Sequence, residues 1–319
     1  MAKLAVFGVN SSIARHFLGI LAQSGIKKSD VVVFTHHMGE EISFGEEDLI
    51  TQDASLADWK EFDRAVFIQD EAAAQNYAVK LKKLGLRVIN ATEALRDIKD
   101  FALTDDYLSK GLKSSVSLPS PMTAALLKVL RPLNEFKIKA IHLNAYIGAD
   151  IAGDEGLSEL YNSTRRILMN DTQGGKQLFV KPLAFNVIPQ AGSFIGEETE
   201  IEWMFNSEIK QLLGDKIKVH ANCAMVPVFI GIGMFVNIET SQEIDVDCAY
   251  KALKNVKGVE IKNTQTNGDY AAITDTQGET KIFISRLRED LSSKNGISLW
   301  LSCDTNMAMA NDLAILVKK

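Results

Sequence analysis

The chain has 319 residues and a formal net charge of −6, and its hydrophobic and charged fractions, 46% and 24%, are those of an ordinary globular protein. This length predicts two domains, and the acidic balance without a basic run excludes a nucleic-acid backbone as a partner. Three widely spaced cysteines, Cys223, Cys248 and Cys303, argue against a disulfide framework or a zinc site and favour the reducing cytoplasm. The longest uncharged run, Cys223 to Ile238, is too short to span a membrane.

The first hundred residues alternate between apolar strands and amphipathic helices. Four short segments are predicted as buried strands because they are rich in apolar and β-branched residues: KLAVFG, DVVVFT, RAVFIQ and LRVIN. The segment SSIARHFLGILAQSG has helical periodicity, and an alanine-rich helix is predicted over Glu71 to Leu84. This βαβ rhythm predicts an α/β fold with a Rossmann-like, doubly wound parallel sheet over residues 1–120.

The chain changes character after Pro121. A helix is followed by longer strands, with helical segments between them: KIKAIHLNAYIG, IKVHANCAM, VPVFIGI, MFVNIET, KIFISRL and ISLWLSC. This order predicts a second, α+β domain with a mixed sheet over residues 121–304. Apolar residues hardly alternate with polar ones between Cys223 and Ile238. We therefore interpret this run as two strands, turning near Gly231, whose two faces are both covered.

The turn at the end of the first strand is a candidate nucleotide site. A glycine ends the strand, and small or polar residues follow it at positions where a dinucleotide-binding fingerprint has further glycines. The candidate cofactor-binding residues are Gly8, Asn10, Ser11, Ser12 and Ile13. Because Gly8 stands alone, a strand-to-helix turn that binds nothing is the alternative.

Acidic residues follow the third strand, at the sheet edge where folds of this class bind ligands. Asp70 and Glu71 would repel the phosphates of a dinucleotide that approached this edge. The alternative is structural, because Asp70 can cap the next helix while Glu71 lies in its first turn. Both interpretations leave negative charge where a phosphate would approach.

Several segments of the second domain resemble one known family. LAFNVIPQAGSF, the VPVF segment followed by VNIE, and ISRLRED with NGISLWLSCDTN are similar to the C-terminal domain of aspartate-semialdehyde dehydrogenases. The resemblance implies a Rossmann domain completed by a C-terminal helix at 305–319, followed in the chain by a dimerisation domain. It also implies a homodimer, NADP as cofactor, and a thioester intermediate on a cysteine.

The resemblance places the family's reacting groups at positions that hold no such chemistry in this chain. The positions of the nucleophilic cysteine, the glutamine, the substrate-binding arginine and the acid/base histidine hold Pro121, Ile147, Met225 and Ile232. None of these side chains supplies a thiolate, a proton shuttle or a cationic anchor. Arg96 is the remaining candidate substrate-binding residue, and an ordinary surface arginine is the alternative there.

Hydroxyl groups beside the proline are the other candidate nucleophiles. Ser120 and Thr123 lie at the same corner, but a hydroxyl needs a neighbouring base before it can attack a carbonyl. His142 and His220 lie in the middle of predicted strands, and we interpret both as structural histidines. The sequence therefore predicts no catalytic residue at this corner.

We accordingly predict a non-catalytic homologue of NADP-dependent aspartate-semialdehyde dehydrogenase, similar to the Usg-type paralogues that lack the catalytic cysteine. An active oxidoreductase of the same class and an NADP-responsive binding protein are the alternatives. No cofactor is firmly expected, although the resemblance allows NADP, and no metal site is expected. The protein is predicted to be a cytoplasmic homodimer in which a second subunit covers one face of the second domain's sheet. A monomer whose own helices cover both faces is the alternative.

Overall fold

A computed structural model describes residues 3–35, 38–96, 98, 101, 103–104, 115–170, 177–264 and 266–318. The chain divides into two compact units, residues 1–124 with 309–319 and residues 125–308. Within the described residues, no helix is long and apolar enough to cross a bilayer.

The strands of the described residues are β1 (Lys3–Phe7), β2 (Val31–Phe34), β3 (Glu41–Phe44), β4 (Glu47–Ile50), β5 (Phe62–Ile68), β6 (Arg87–Ala91), β7 (Val116–Ser117), β8 (Ile138–Ile147), β9 (Phe194–Ile195), β10 (Glu198–Thr199), β11 (Lys218–Met225), β12 (Ile232–Thr240), β13 (Val259–Lys262), β14 (Ile282–Glu289) and β15 (Gly296–Cys303). The α-helices are α1 (Ser12–Gln23), α2 (Glu71–Lys83), α3 (Pro121–Leu133), α4 (Gly153–Leu168), α5 (Glu200–Leu213), α6 (Val246–Leu253) and α7 (Thr305–Lys318).

The first unit is built on a parallel sheet with both faces covered. Its five strands lie in the order β2-β1-β5-β6-β7, and every neighbouring pair is parallel. Alternate residues of β1 enter two separate cores: Leu4 and Val6 pack with α1 and α7, whereas Ala5 and Phe7 pack with α2. The predicted Rossmann-like sheet is therefore confirmed. A hairpin of β3 and β4, which the sequence analysis did not predict, follows β2.

The second unit is built on a mixed sheet of six strands in the order β11-β8-β12-β15-β14-β13. The pairs β11/β8 and β14/β13 are parallel and the other three are antiparallel, which confirms the predicted mixed sheet. Helix α5 packs on β11 and helix α6 on β14. At the start of the first of these helices, Glu202 Oε2 accepts the Thr199 N–H at 2.7 Å.

The two faces of this sheet differ. We call inner the face that carries buried apolar side chains, among them Ile141, Leu143, Met234, Val236 and Ile238. We call outer the face that carries exposed or half-buried side chains on the three strands β11, β8 and β12: His220, Asn222, His142, Asn144, Tyr146, Phe235 and Asn237. Over β15 and β14 the chain covers its own outer face, because Trp300 Nε1 and Ser302 Oγ both donate to Ala271 O at 2.8 Å.

Two expectations for the run from Cys223 to Ile238 are wrong. The segment VPVFIGI is not a strand, because residues 226–231 form an irregular loop and β12 begins only at Ile232. The expected absence of alternation is also wrong for β12, in which Val236 is fully buried while Phe235 and Asn237 are half-exposed. Gly233 and Phe235 account for the misleading pattern. Neither residue is polar, yet both occupy outer-face positions of β12.

Candidate functional site

Three of the four family positions named above lie side by side in the six-stranded sheet. Met225 on β11 pairs with Ile147 on β8, which pairs on its other side with Ile232 on β12. Ile232 also pairs with Cys303 on β15, so these four residues, which we call the apolar row, cross four neighbouring strands. Their side chains are 4%, 2%, 1% and 0% exposed in strand order. The row is therefore part of the inner core and offers a ligand no charge and no strong hydrogen-bond donor.

The loop 226–231 closes the end of the sheet next to the apolar row. The N–H of Val226 donates to Ile147 O at 2.9 Å, and the N–H of Gly231 donates to Asp150 Oδ1 at 3.1 Å. Gly231 has a positive φ of 102°, which a side chain rarely adopts. These bonds fix the loop against the residues that follow β8.

Asp150 is the titratable group that the sequence analysis missed. Its Oδ1 accepts the Gly231 N–H, and its Oδ2 accepts a hydrogen bond from Asn306 Nδ2 at 3.2 Å. Burial raises the pKa of Asp150 to about 7; the negative charge of Asp304 adds to this, and the bond from Gly231 opposes it. A carboxyl with such a pKa can exchange a proton near neutral pH. Here both oxygens hold backbone and side-chain donors of the chain, so the geometry assigns Asp150 a structural role.

The three cysteine thiols are poor nucleophiles. Burial raises the pKa of Cys223 and of Cys303 far above the usual range. A hydrogen bond with the Asp245 side chain raises the pKa of Cys248, which is the more accessible thiol. A catalytic cysteine needs the opposite shift, because the thiolate is the attacking species. The environment of each thiol is therefore unsuited to thioester formation.

The corner between Pro119 and Pro121 is the beginning of a helix. Pro121 occupies the first position of α3, where a missing N–H is tolerated because it would have no helical acceptor. Ser120 Oγ accepts the Thr123 N–H at 3.3 Å and donates to Thr123 Oγ1 at 2.9 Å. These two hydroxyl side chains are only 6% and 0% exposed. Ser120 thus serves as a helix cap, and its hydroxyl is engaged in that role.

The turn after β1 is explained by close backbone packing. Gly8 has a φ of +81°, and a Cβ atom there would lie 1.7 Å from the carbonyl oxygen of Ile68 on β5. Ser11 caps helix α1, since its Oγ accepts the Ala14 N–H at 3.2 Å and donates to Gly8 O at 3.0 Å. The roles of Gly8 and Ser11 are therefore those expected of a strand-to-helix turn, which is the alternative given for this segment in the sequence analysis.

The other three candidate cofactor-binding residues lie at the start of the same helix. Ile13 is buried in the core at 1% exposure, whereas Asn10 is exposed and Ser12 is half-buried. Only their backbone N–H groups and the exposed side chains can meet a ligand. A role of these residues in cofactor binding stays a prediction.

A small cavity lies at the carboxyl edge of the parallel sheet. Its volume is about 130 Å³, and its walls are aromatic, small and acidic side chains: Phe7, Phe34, Thr35, Asp53, Ala54, Asp70, Ala73 and Tyr77. Phe7 stacks on Tyr77 at 5.7 Å and on Phe34 at 5.1 Å between ring centroids, which fills much of this edge. Asp70 caps helix α2 by accepting the Ala73 N–H at 2.9 Å, which confirms the structural interpretation of this residue.

Three residues discussed in the sequence analysis remain to be placed: Arg96, His142 and His220. Arg96 is half-buried in the loop after β6, directly after Leu95, which has a positive φ of 71°. Its predicted contact with substrate stays a prediction. His142 and His220 are exposed on the outer face, with ring centroids 5.9 Å apart, and so they are not core histidines.

Comparison with known proteins identifies the family. The model of the semialdehyde dehydrogenase dimerisation domain matches residues 130–307, more than half of the chain. An aspartate-semialdehyde dehydrogenase of Rickettsia bellii is 30% identical over 95% of this chain and 92% of its own length. The chain belongs to the aspartate-semialdehyde dehydrogenase family.

Solved structures of the family share this fold. Aspartate semialdehyde dehydrogenase II of Vibrio cholerae superposes with a TM-score of 0.90 at 23% identity, over 99% of this chain and 97% of the other. The enzyme of Candida albicans, solved with NADP, superposes with a TM-score of 0.71 at 15% identity, over 100% of this chain and 99% of the other. These structures therefore share the fold of this chain, with its parallel sheet in one unit and its mixed sheet in the other.

Proposed function

We propose that this chain is a non-catalytic member of its family, which keeps the fold and the assembly of an aspartate-semialdehyde dehydrogenase without its chemistry. The observation that carries this proposal is the apolar row. The resemblance assigns Ile147, Met225 and Ile232 to the positions of a glutamine, an arginine and a histidine. These three residues are neighbours in the sheet, as residues of one site would be. All three are apolar and buried. Buried charges are tolerated only when paired, so an apolar row packs without such partners.

The local chemistry supports the same proposal. Acyl transfer through a thioester needs a thiolate, a proton donor and positive charge for an oxyanion. The described thiols have raised pKa values, Pro121 has neither a nucleophile nor an N–H, and the Ser120 hydroxyl caps a helix. The Asp150 carboxyl has a pKa of about 7, which suits proton exchange, but both of its oxygens are held by hydrogen-bond donors of the chain.

An activity assay tests the proposal. Phosphate-dependent reduction of NADP with aspartate semialdehyde is expected to stay at the level of a blank without protein, while the Rickettsia bellii relative serves as the positive control. Turnover that is lost in Ser120→Ala would contradict the proposal and identify a hydroxyl nucleophile. Turnover that survives Ser120→Ala but is lost in Asp150→Asn would contradict it as well and give the carboxyl a catalytic role.

We further propose that the protein is a homodimer, in which the outer face of one subunit packs on that of another. The matching family model is described as a dimerisation domain, and it spans the six-stranded sheet. Among the described residues, the outer face over β8 and β12 carries half-buried aromatic and exposed polar side chains, including Tyr146 and Phe235, which contact each other edge to face. Two-fold dimers are the commonest assembly, and a stable one buries on the order of 2,000 Å² or more. Light scattering is expected to give twice the monomer mass of 35.1 kDa.

Weak or absent binding of NADP(H) is the third part of the proposal. A cavity of about 130 Å³ lined by Asp53 and Asp70 is a poor fit for a dinucleotide, whose sites usually exceed about 300 Å³. An NADP-responsive binding protein remains the second candidate, because the parallel sheet is of the nucleotide-binding type and the Candida albicans relative holds NADP. Calorimetry separates the two: micromolar binding, strengthened when Asp70 and Glu71 are both changed to Gly, would favour the second. Location in the cytoplasm stays a prediction, in keeping with three free thiols.

A further inference from the structure

A second cavity lies at the far end of the six-stranded sheet from the apolar row. Its volume is about 360 Å³, and its walls come from the loop after β13 and from the second half of β14: Asn263, Thr266, Asn267, Gly268, Asp269, Tyr270, Arg286, Leu287 and Arg288. Along β15, Cys303 belongs to the apolar row, whereas Ser298 pairs with Arg288. The cavity, which we call the arginine cleft, is thus about five residues, or roughly 17 Å, away along the strand.

The backbone of the arginine cleft is held in an uncommon conformation. The register of β14 against β15 shifts between Ser285 and Arg288, and Arg286 has a positive φ of 53°. Asn263 fixes this bulge from both sides, because its Oδ1 accepts the Leu287 N–H at 2.8 Å and its Nδ2 donates to Leu287 O at 3.1 Å. Bulges and left-handed residues of this kind occur often beside binding sites, where they redirect side chains. Here the bulge places two arginines within three residues on one cavity wall.

Neither guanidinium group forms an ion pair with a described residue, although Arg288 attracts the Asp290 carboxylate at longer range. Among the described residues, neither Arg286 nor Arg288 lies within 4 Å of a carboxylate oxygen, although the chain has an excess of acidic residues. Arg288 Nη1 instead donates to Arg286 O at 3.0 Å, which holds its guanidinium against the bulge. By contrast, Lys139 in β8 forms an ion pair with Glu239, and Lys281, directly before β14, forms one with Glu260.

The carboxylates nearest the cleft are already engaged. Asp269 lines the cavity and accepts a hydrogen bond from the Thr264 hydroxyl. Asp290 follows the strand and accepts hydrogen bonds from Ser292 and from Asn237 Nδ2. Positive charge and unused donors therefore dominate the wall formed by β14.

We propose that the arginine cleft binds a small organic oxyanion, a carboxylate or a phosphate ester, through the guanidinium groups of Arg286 and Arg288. A guanidinium presents N–H donors in a planar fork that matches a carboxylate or a phosphate in two hydrogen bonds. Tyr270 and Asn267 line the same cavity and offer further donors, and the volume lies in the range of small-molecule sites. This site is independent of the proposed loss of catalysis, and it borders the proposed dimer face, because Arg288 is in register with Asn237 through Ser298.

Calorimetry and thermal shift on the full-length chain test the proposal, with inorganic phosphate and succinate as probes and sodium chloride at matched ionic strength as the reference. At least one probe is expected to bind saturably with a Kd below about 10 mM and to raise the melting temperature above the chloride reference. Preference for one probe tells whether the natural ligand is a phosphate or a carboxylate. The proposal is overturned if neither probe exceeds chloride.

Substitutions locate the binding. Arg286→Asn keeps a residue that tolerates a left-handed backbone and removes the guanidinium, and Arg288→Gln removes the second. Each is expected to weaken binding about tenfold or more, and Arg288→Lys is expected not to restore it, because lysine cannot form the two-bond fork. Lys254→Gln, at an exposed position on the same unit, removes one positive charge outside the cleft and should leave the Kd within twofold. Equal weakening in all four variants, or in none, would show that the probes do not bind in the arginine cleft.

Discussion

The two units of this chain cover their sheets in different ways. In the first, strands β1, β2, β5 and β6 send alternate side chains into two cores, and helices of the same chain bury both. In the second, the inner face is buried to the same degree, while the side chains named above for the outer face over β11, β8 and β12 are exposed or half-buried. The first unit buries both faces of its sheet within one chain, whereas covering the outer face of the second is the role of the proposed second subunit.

The same difference places the proposed dimer interface and the family's active-site positions on opposite faces of one sheet. The residues of the apolar row belong to the inner face, so the replacements that the resemblance implies at three of them would alter a core that a single subunit contains. The outer face is one residue away in register on every strand and is unaffected by those changes. A family member can therefore lose the reacting groups and still keep the surface through which it associates.

The largest expected effect comes from charge on the inner face. Val236→Lys places an ammonium where the side chain is fully buried within one subunit, and the expected cost is about 4 kcal/mol or more. We expect this variant to fail to fold or to unfold at far lower urea, whatever the assembly state. Circular dichroism and urea titration measure it. A folded Val236→Lys of unchanged stability would mean that the inner face is not where the structure has it.

Charge on the outer face is expected to act on assembly instead. Asn144 is exposed, and it lies in register beside Phe235 at the centre of this face. In Asn144→Lys, two ammonium groups would be buried between subunits, so dimerisation should weaken by roughly 1000-fold while the monomer stays folded. Light scattering across a dilution series measures the mass. Asn255→Lys adds the same charge at an exposed position outside the face and should remain dimeric.

If Asn144→Lys keeps the dimeric mass, the outer face is not the interface. Exposed apolar residues elsewhere on the second unit, such as Phe185, Val187 and Phe194, would then be the surface to test. A native chain that is monomeric at micromolar concentration would remove the proposed dimer altogether.

A glycine of the first unit should show how tightly that unit packs. Gly8→Ala combines a left-handed backbone with a Cβ 1.7 Å from Ile68 O, so we expect a loss of about 3 kcal/mol in the free energy of unfolding. Gly25→Ala is the matched control, since Gly25 has a φ of +79° but no atom within 4 Å of an added Cβ. It should cost only about 1 kcal/mol. Equal losses in the two variants would show that the strand β5 can move away from the turn.

Sequence patterns predicted the first unit more fully than the second. Buried parallel strands such as VVVF are apolar throughout, and so both the strand and its coverage could be inferred. The run from Cys223 to Ile238 is equally apolar, but it contains a loop that hydrogen-bonds to the end of β8 and a half-exposed Phe235. Periodicity cannot distinguish an apolar loop from a buried strand, and only tertiary contacts separate them.

The site was predicted unevenly for a related reason. Resemblance gave Ile147, Met225 and Ile232, and pairing in the sheet then made them neighbours. Asp150 left a weak signal, an acid just after a predicted strand, but its burial depends on Asn306, far along the chain. The arginine cleft depends on a bulge in β14, and no local pattern in ISRLRED predicts that bulge.

The smallest expected effect is the pH dependence that Asp150 gives to the second unit. Its pKa is about 7 in the folded chain and near the ordinary value of 3.8 when unfolded. The folded state therefore holds the proton more tightly, and this contribution to stability is complete below about pH 4 and is lost as the pH rises to about 7. A difference of about three pH units between the two pKa values corresponds to at most about 4 kcal/mol in the free energy of unfolding. We expect roughly half of that, because the folded structure relaxes around the ionised carboxylate.

Asp150→Asn should remove this dependence. The variant keeps the acceptor for the Gly231 N–H, and the Asn306 amide can turn to present its oxygen to the new amide group. We expect Asp150→Asn to be about 2 kcal/mol more stable than the native chain at pH 8 and equal to it at pH 4, as measured by urea unfolding. Asp70→Asn in the first unit is the control, because asparagine caps a helix as well as aspartate does and should change stability little at either pH. A gain that is the same at both pH values would mean that the benefit comes from the amide's packing and that the Asp150 carboxyl titrates no differently in the folded chain.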